Sequence, residues 1–127
     1  MRGHHVIKCW AKTQQTVALS SGEAELYAAV RTGSEAIGLR SVMRDVGINP
    51  EIRLKVDATA AIGMLMKEGL SGVRHIDTQY LWLQDSIRCK DIVLKKVDGK
   101  VNVADAFTKA LGAHDLDQHL WNAGFRW

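Results

Sequence analysis

Three carboxylates carry the chemistry this sequence could do: Glu25 in SSGEAELYAAV, Asp57 in LKVDATAAIGM and Asp105 in VNVADAFTKAL. Each lies near the start of an expected helix, and Asp57 directly follows a strand-like run. Magnesium takes hard oxygen ligands, so Asp and Glu suit it where His and Cys do not. Two divalent ions held roughly 3.5–4 Å apart can clamp the attacking and the leaving oxygen of a phosphodiester. Acids delivered from three elements are what such a shared site needs, and ligand sites in open α/β sheets form at the carboxyl ends of the strands. Taken singly, each acid has a plainer use. An acid in a helix's first turn complements the helix dipole, and an acid at a strand end is a common turn former or cap.

The elements that must position these acids follow from pattern. His5 to Ala11 (HVIKCWA) alternates as a short extended segment. Ser20 with Glu23 three residues on forms a capping-box signature for a helix over Gly22 to Val46. That helix carries Leu26, Val30, Gly33, Ile37 and Arg40 on one stripe, and Gly47 is its stop. Ile52 to Val56 alternates as a strand, Ala58 to Glu68 reads as a short helix, and His75 to Arg88 as an amphipathic one. Ile92 to Val97 is a second strand, Val103 to Leu111 a further helix, and Leu116 to Trp121 a last short one. The order β-α-β-α-α-β-α-α implies an α/β fold. No linker or repeat divides the chain, so residues 1–127 are expected to be a single domain, with 112–127 as an aromatic C-terminal tail.

Composition sets the class. At 46% hydrophobic and 24% charged, the chain is ordinary for a globular protein. No apolar run approaches the roughly 20 residues of a membrane helix, and no signal-peptide core opens the sequence, so an intracellular protein is expected. The net charge of +3 is scattered and does not by itself argue for nucleic-acid binding. Cys9 and Cys89 fit no metal motif and read as buried, reduced thiols.

SSGEAELYAAV, KVDATAAIGM, VRHIDTQYLWLQDSI and VNVADAFTKAL together resemble the ribonuclease H domain at the C-terminal end of the polyprotein of copia-type retrotransposons. The resemblance runs from Val6 to about Leu120, with the motifs in the family's order. It implies a ribonuclease H-like fold, here a truncated mixed sheet flanked by helices. It also implies hydrolysis of the RNA strand of RNA–DNA hybrids with Mg2+, for which Mn2+ can stand in. By the same resemblance Glu25 is the helix carboxylate, Asp57 the acid after the fourth strand and Asp105 the acid of the last helix. The E-L-Y-A-A register favours Glu25 over its neighbour Glu23.

Two departures stand out. The family commonly has Asp-Ser or Asp-Asn where this chain has Asp57-Ala58. The family's domain also opens with a β-hairpin carrying a first catalytic Asp that bridges both metals, and no Asp precedes Asp45 here. The family's sheet order, 3-2-1-4-5, places those strands between HVIKCWA and IRLKV. The expectation is therefore a ribonuclease H-like domain that lacks its first hairpin and is inactive as the isolated chain. The competing expectation is a non-catalytic accessory protein that docks on a larger assembly, or on itself, through an open sheet edge.

The remaining candidates are plainer. His75 beside Arg74 could touch a phosphate or cap a helix. His114 and His119 read as surface residues. Trp82 belongs with the apolar stripe of its helix, and Trp121, Phe125 and Trp127 would form a partner patch if exposed.

Overall fold

Ser20 begins the longest element. Its extended backbone and its side chain, which accepts from the Glu23 N–H at 3.2 Å, cap α1, Ser21–Asp45. The helix ends in a Schellman motif: the Gly47 N–H donates to the Arg44 carbonyl and the Ile48 N–H to the Met43 carbonyl, both at 2.9 Å. Gly47 takes a φ of +80°, which a residue bearing a Cβ adopts only with strain. In this computed structural model, residues 5–11, 20–67 and 78–125 are described. They fall into two compact units, Val17–Lys96 and Met1–Thr16 with Val97–Trp127.

The first unit is an α/β layer. β1, Ile52–Val56, and β2, Ile92–Lys96, pair in parallel with Ile52 opposite Ile92 and Lys55 opposite Lys95. Between them lie α2, Thr59–Met66, and α3, Thr78–Arg88. β1 alternates strictly, with Ile52, Leu54 and Val56 buried and Arg53 and Lys55 exposed. The buried side joins Leu26, Ala29 and Val30 of α1, Ala61 and Leu65 of α2, Tyr80 and Leu83 of α3, and Ile92 in one apolar cluster.

The predicted α1 stripe is the one buried. Leu26, Val30 and Gly33 are inside, Ile37 packs on the cluster, and Arg40 lies along its end. The Arg40 guanidinium donates to the Asp91 carbonyl at 3.1 Å and to its carboxylate at 3.4 Å, tying the helix to the entry of β2. A Cβ on Gly33 would lie 3.0 Å from Leu83 Cδ1 and 3.4 Å from the Trp82 ring, so the missing side chain is what lets α1 and α3 approach. Trp82 packs on the core, as its place in the stripe predicts.

α2 is short and its end is closed from outside. Tyr80 and Gln84 of α3 both donate to the Met64 carbonyl, Gln84 at 2.9 Å. The same carbonyl accepts from the Lys67 N–H at the helix's C-cap, at 3.4 Å. Burial raises the Tyr80 hydroxyl above the usual tyrosine pKa of 10.0, and the Gln84 hydrogen bond pulls the other way.

The second unit is built differently. After a 3-10 turn, Gly99–Val101, and a 3-10 segment, Val103–Phe107, comes α4, Ala113–Asn122. α4 packs against Val103–Phe107.

Three expectations are corrected. Val103 to Leu111 is not an α-helix: Asn102 Oδ1 accepts from the Ala104 N–H at 3.3 Å, and this local bond favours a tight 3-10 run of five residues. His5 to Ala11 is not a strand; only His5 forms an isolated bridge. A strand needs a partner for its ladder, and no strand among the described residues supplies one. Cys9 and Cys89 are free but exposed rather than buried, Cys89 because it lies in the turn that follows α3. The described strands form a parallel pair. The antiparallel members of a mixed sheet are not among the described residues.

His75, Arg74 and Trp127 lie outside the described residues. No described helix is long and apolar enough to cross a membrane.

Candidate carboxylate site

Within Val17–Lys96, Asp57 leaves the carboxyl end of β1 half-buried, two residues before α2 begins. The first turn of α1 meets the first turn of α2, since a Cβ on Gly22 would lie 2.9 Å from the Ala60 Cβ. This contact brings the acidic end of α1 to the strand end that carries Asp57. Glu25 lies on that end and is exposed.

The buried acid of α1 is Glu23, 5% exposed, whose Oε1 accepts from the Tyr27 hydroxyl at 3.3 Å. Pattern reasoning passed over Glu23 as a buried group. The signal was present, because position 23 is one turn before Leu26 and so continues the buried stripe.

In the other unit, Asp105 sits in the 3-10 segment and is 8% exposed. Both of its carboxylate oxygens are engaged. Asn102 Nδ2 donates to Oδ1 at 3.4 Å, and the Lys109 ammonium donates to Oδ2 at 2.8 Å. The Thr108 and Lys109 N–H groups both donate to the Asp105 carbonyl, at 3.2 and 2.9 Å, so backbone bonds keep Lys109 beside the acid. Lys109 was not singled out from the sequence, although its i+4 spacing from Asp105 is the ordinary signature of a helical ion pair.

His119, expected at the surface, is instead buried at 5% exposure, and its Nδ1 has no hydrogen-bond partner among the described residues. It lies on α4, the helix packed against the segment that carries Asp105. His114 is exposed as expected.

The donor set of Glu25, Asp57 and Asp105 is chemically suited to magnesium, being all carboxylate oxygen. Asp105, nearly buried, already has its charge balanced by the Lys109 ammonium. Glu25 and Asp57 belong to one unit and Asp105 to the other. Among the described residues, no group of three or more His, Cys, Asp or Glu side chains forms a metal-holding cluster.

No protein-family model matches the chain, and no solved structure matches it. The sequence is similar to the retrovirus-related Pol polyprotein from transposon TNT 1-94 of Nicotiana tabacum. The identity is 34% over 104 residues, covering 80% of this chain and 8% of that polyprotein. The chain thus corresponds in sequence to a segment of a retrotransposon Pol polyprotein and spans a small fraction of its length.

Proposed function

We propose that the chain is the ribonuclease H-like segment of a retrotransposon Pol polyprotein, derived from a Mg2+-dependent hydrolase of the RNA strand of RNA–DNA hybrids and inactive as the isolated chain. The observation that carries this reading is the similarity to a Pol polyprotein over 80% of the chain. The parallel β1–β2 pair, with Asp57 at its carboxyl end and the acidic turn of α1 packed beside it, supports it.

Glu25, Asp57 and Asp105 are the carboxylates this segment contributes. Asp57 is presented by a strand whose alternate residues are locked in the core, so its backbone is held rigidly. Glu25 is presented by a capped helix end, where the dipole favours an anion. Asp105 is held by its own segment through Asn102 and Lys109. The chemistry supplied by bound Mg2+ is stabilisation of the attacking and leaving oxygens of the phosphodiester.

The test is a Mg2+ titration of the 127-residue chain followed by NMR, with RNA–DNA hybrid and DNA duplex compared as ligands. The side-chain signals of Glu25, Asp57 and Asp105 should each shift, and the hybrid should bind better in Mg2+ than in EDTA. If Asp57→Asn leaves Mg2+ binding unchanged, the reading fails.

One observation favours a second reading, that of an accessory segment docked on another protein. Trp121 and Phe125, on and just after α4, are 55% and 43% exposed. Under that reading, Trp121→Ala would weaken association measured by sedimentation and leave Mg2+ binding intact.

A further inference from the structure

The positive charges of this chain are scattered in sequence, but the sheet gathers three of them on one side. β1 buries Ile52, Leu54 and Val56 against the helices and turns Arg53 and Lys55 outward. The parallel register sets Val93 beside Arg53 and Lys95 beside Lys55. Side chains alternate along each strand, so the outward positions of the described pair are Arg53, Lys55, Val93 and Lys95. None is an acid, and all three cations are exposed.

Lys55 and Lys95 are the centre of this surface. Adjacent strands run about 4.7–4.9 Å apart, so the two lysine stems leave the sheet side by side. Like charges placed directly opposite destabilise a sheet. Among the described residues no ion pair engages either lysine, whereas Arg53 is paired with Glu51, and Asp91, just before β2, with Arg40. An anion lying across the two strands relieves the repulsion.

The composition of the face selects the class of anion. Lysine is depleted at protein–protein interfaces, whose buried centres are apolar and aromatic. Here the apolar outward residue is a single half-buried valine, Val93. A lysine ammonium is a compact point charge on a flexible stem. That suits a chain of repeated phosphates, held without regard to base sequence.

We propose that the outward face of the β1–β2 pair, centred on Lys55 and Lys95, binds the phosphate backbone of a nucleic-acid duplex. The alternation that turns Arg53 and Lys55 outward reaches Asp57 one residue beyond the strand, so a backbone held here passes close to that carboxylate. The choice of a nucleic acid rests on the ribonuclease H-like reading. Binding is measured without metal, so the two can fail separately.

A labelled RNA–DNA hybrid and a DNA duplex are titrated with the 127-residue chain in EDTA over a series of salt concentrations, followed by fluorescence anisotropy. Wild type is compared with K55Q/K95Q, K55R/K95R and K96Q, and circular dichroism checks each fold. Lys96 is exposed on the same strand, but the alternation sets it on the other side. The plot of log affinity against log salt should flatten in K55Q/K95Q by about one for each lysine removed. K55R/K95R should keep the wild-type slope, and K96Q should stay close to it.

Wild-type affinity and slope in K55Q/K95Q would overturn the proposal. So would an equal loss in K96Q, which would make the effect one of net charge alone. If the chain binds a polyglutamate peptide through the two lysines and neither duplex, the face belongs to an acidic protein and the proposal falls. Mg2+ binding by Asp57→Asn bears on the ribonuclease H-like reading and leaves these metal-free outcomes untouched.

Discussion

The two units of this chain are ordered by different forces. In Val17–Lys96 the buried side chains are chiefly large and apolar: Leu26, Leu54, Leu65, Leu83 and Ile92 are each at most 4% exposed, with Glu23 as the buried charge. In the unit containing Val97–Trp127 the buried residues among those described are Asp105, His119 and Ala123, while Trp121, Phe125 and Val101 are exposed. Order there comes from short-range polar bonds, such as Asp98 Oδ1 accepting from the Lys100 N–H at 3.0 Å and Asn102 Oδ1 from the Ala104 N–H at 3.3 Å. Apolar burial is non-directional and accumulates with area, whereas each net hydrogen bond contributes only about 1 kcal/mol. The first unit therefore has the means to hold its shape alone. The second depends on a few specific donors and acceptors, and those are the groups that hold one of the candidate ligands.

The sharpest way to break this contrast is to remove one large apolar side chain from a helix of each unit. Leu83→Ala, at a fully buried position, should lower stability by about 2–5 kcal/mol. Trp121→Ala, at a 55% exposed position, should change it by no more than about 0.5 kcal/mol. Urea unfolding measures both, and equal losses would overturn the comparison. Gly33→Val should cost about 1–3 kcal/mol by overpacking against Leu83 and Trp82. Its thermal midpoint should fall even though valine is the better helix former.

Tyr80→Phe should cost about 1 kcal/mol, because Gln84 still serves the Met64 carbonyl. Its effect on pH dependence is more telling. Burial raises the folded-state pKa of Tyr80 above 10.0. The stabilisation is thus complete below the unfolded value and is lost as pH rises through the folded one. Urea midpoints between neutral pH and strongly alkaline pH should fall more steeply in wild type than in the phenylalanine variant.

The smallest expected effect is a gain. Lys55 and Lys95 face each other across the parallel strands. Lys55→Glu should add roughly 0.2–1 kcal/mol, and added salt should erase most of it by screening.

What sequence pattern could and could not resolve follows the same division. Ser20, the stripe from Leu26 to Arg40, Gly47 and the alternation of Ile52 to Val56 all report local rules, and the structure obeys them. Trp82 was placed in the core for the same reason, and Asp57 was placed correctly at a strand end. The failures lie where a nearby polar side chain or a tertiary partner decides. The Asn102 side chain diverts Val103–Phe107 from α-helix to 3-10, which apolar periodicity does not register. His119 looked like a surface residue because burial on α4 depends on which face meets the 3-10 segment. The burial of Glu23 went unread because motif register, rather than the buried stripe, guided the reading of that turn.

The closure of α2 by Tyr80 and Gln84 has a consequence for the order of events in synthesis. Eight residues are too few for a helix to persist in water without outside contacts. The side-chain donors that close this one lie 16 and 20 positions further along the chain. On the ribosome, Thr59–Met66 would therefore emerge as a fluctuating segment, while the longer, self-capped α1 could already be sampling its fold. The stretch that presents Asp57 would become fixed only after α3 had been made. A stalled nascent chain ending before Tyr80 should expose Met64 to proteolysis, and one extended past Gln84 should protect it.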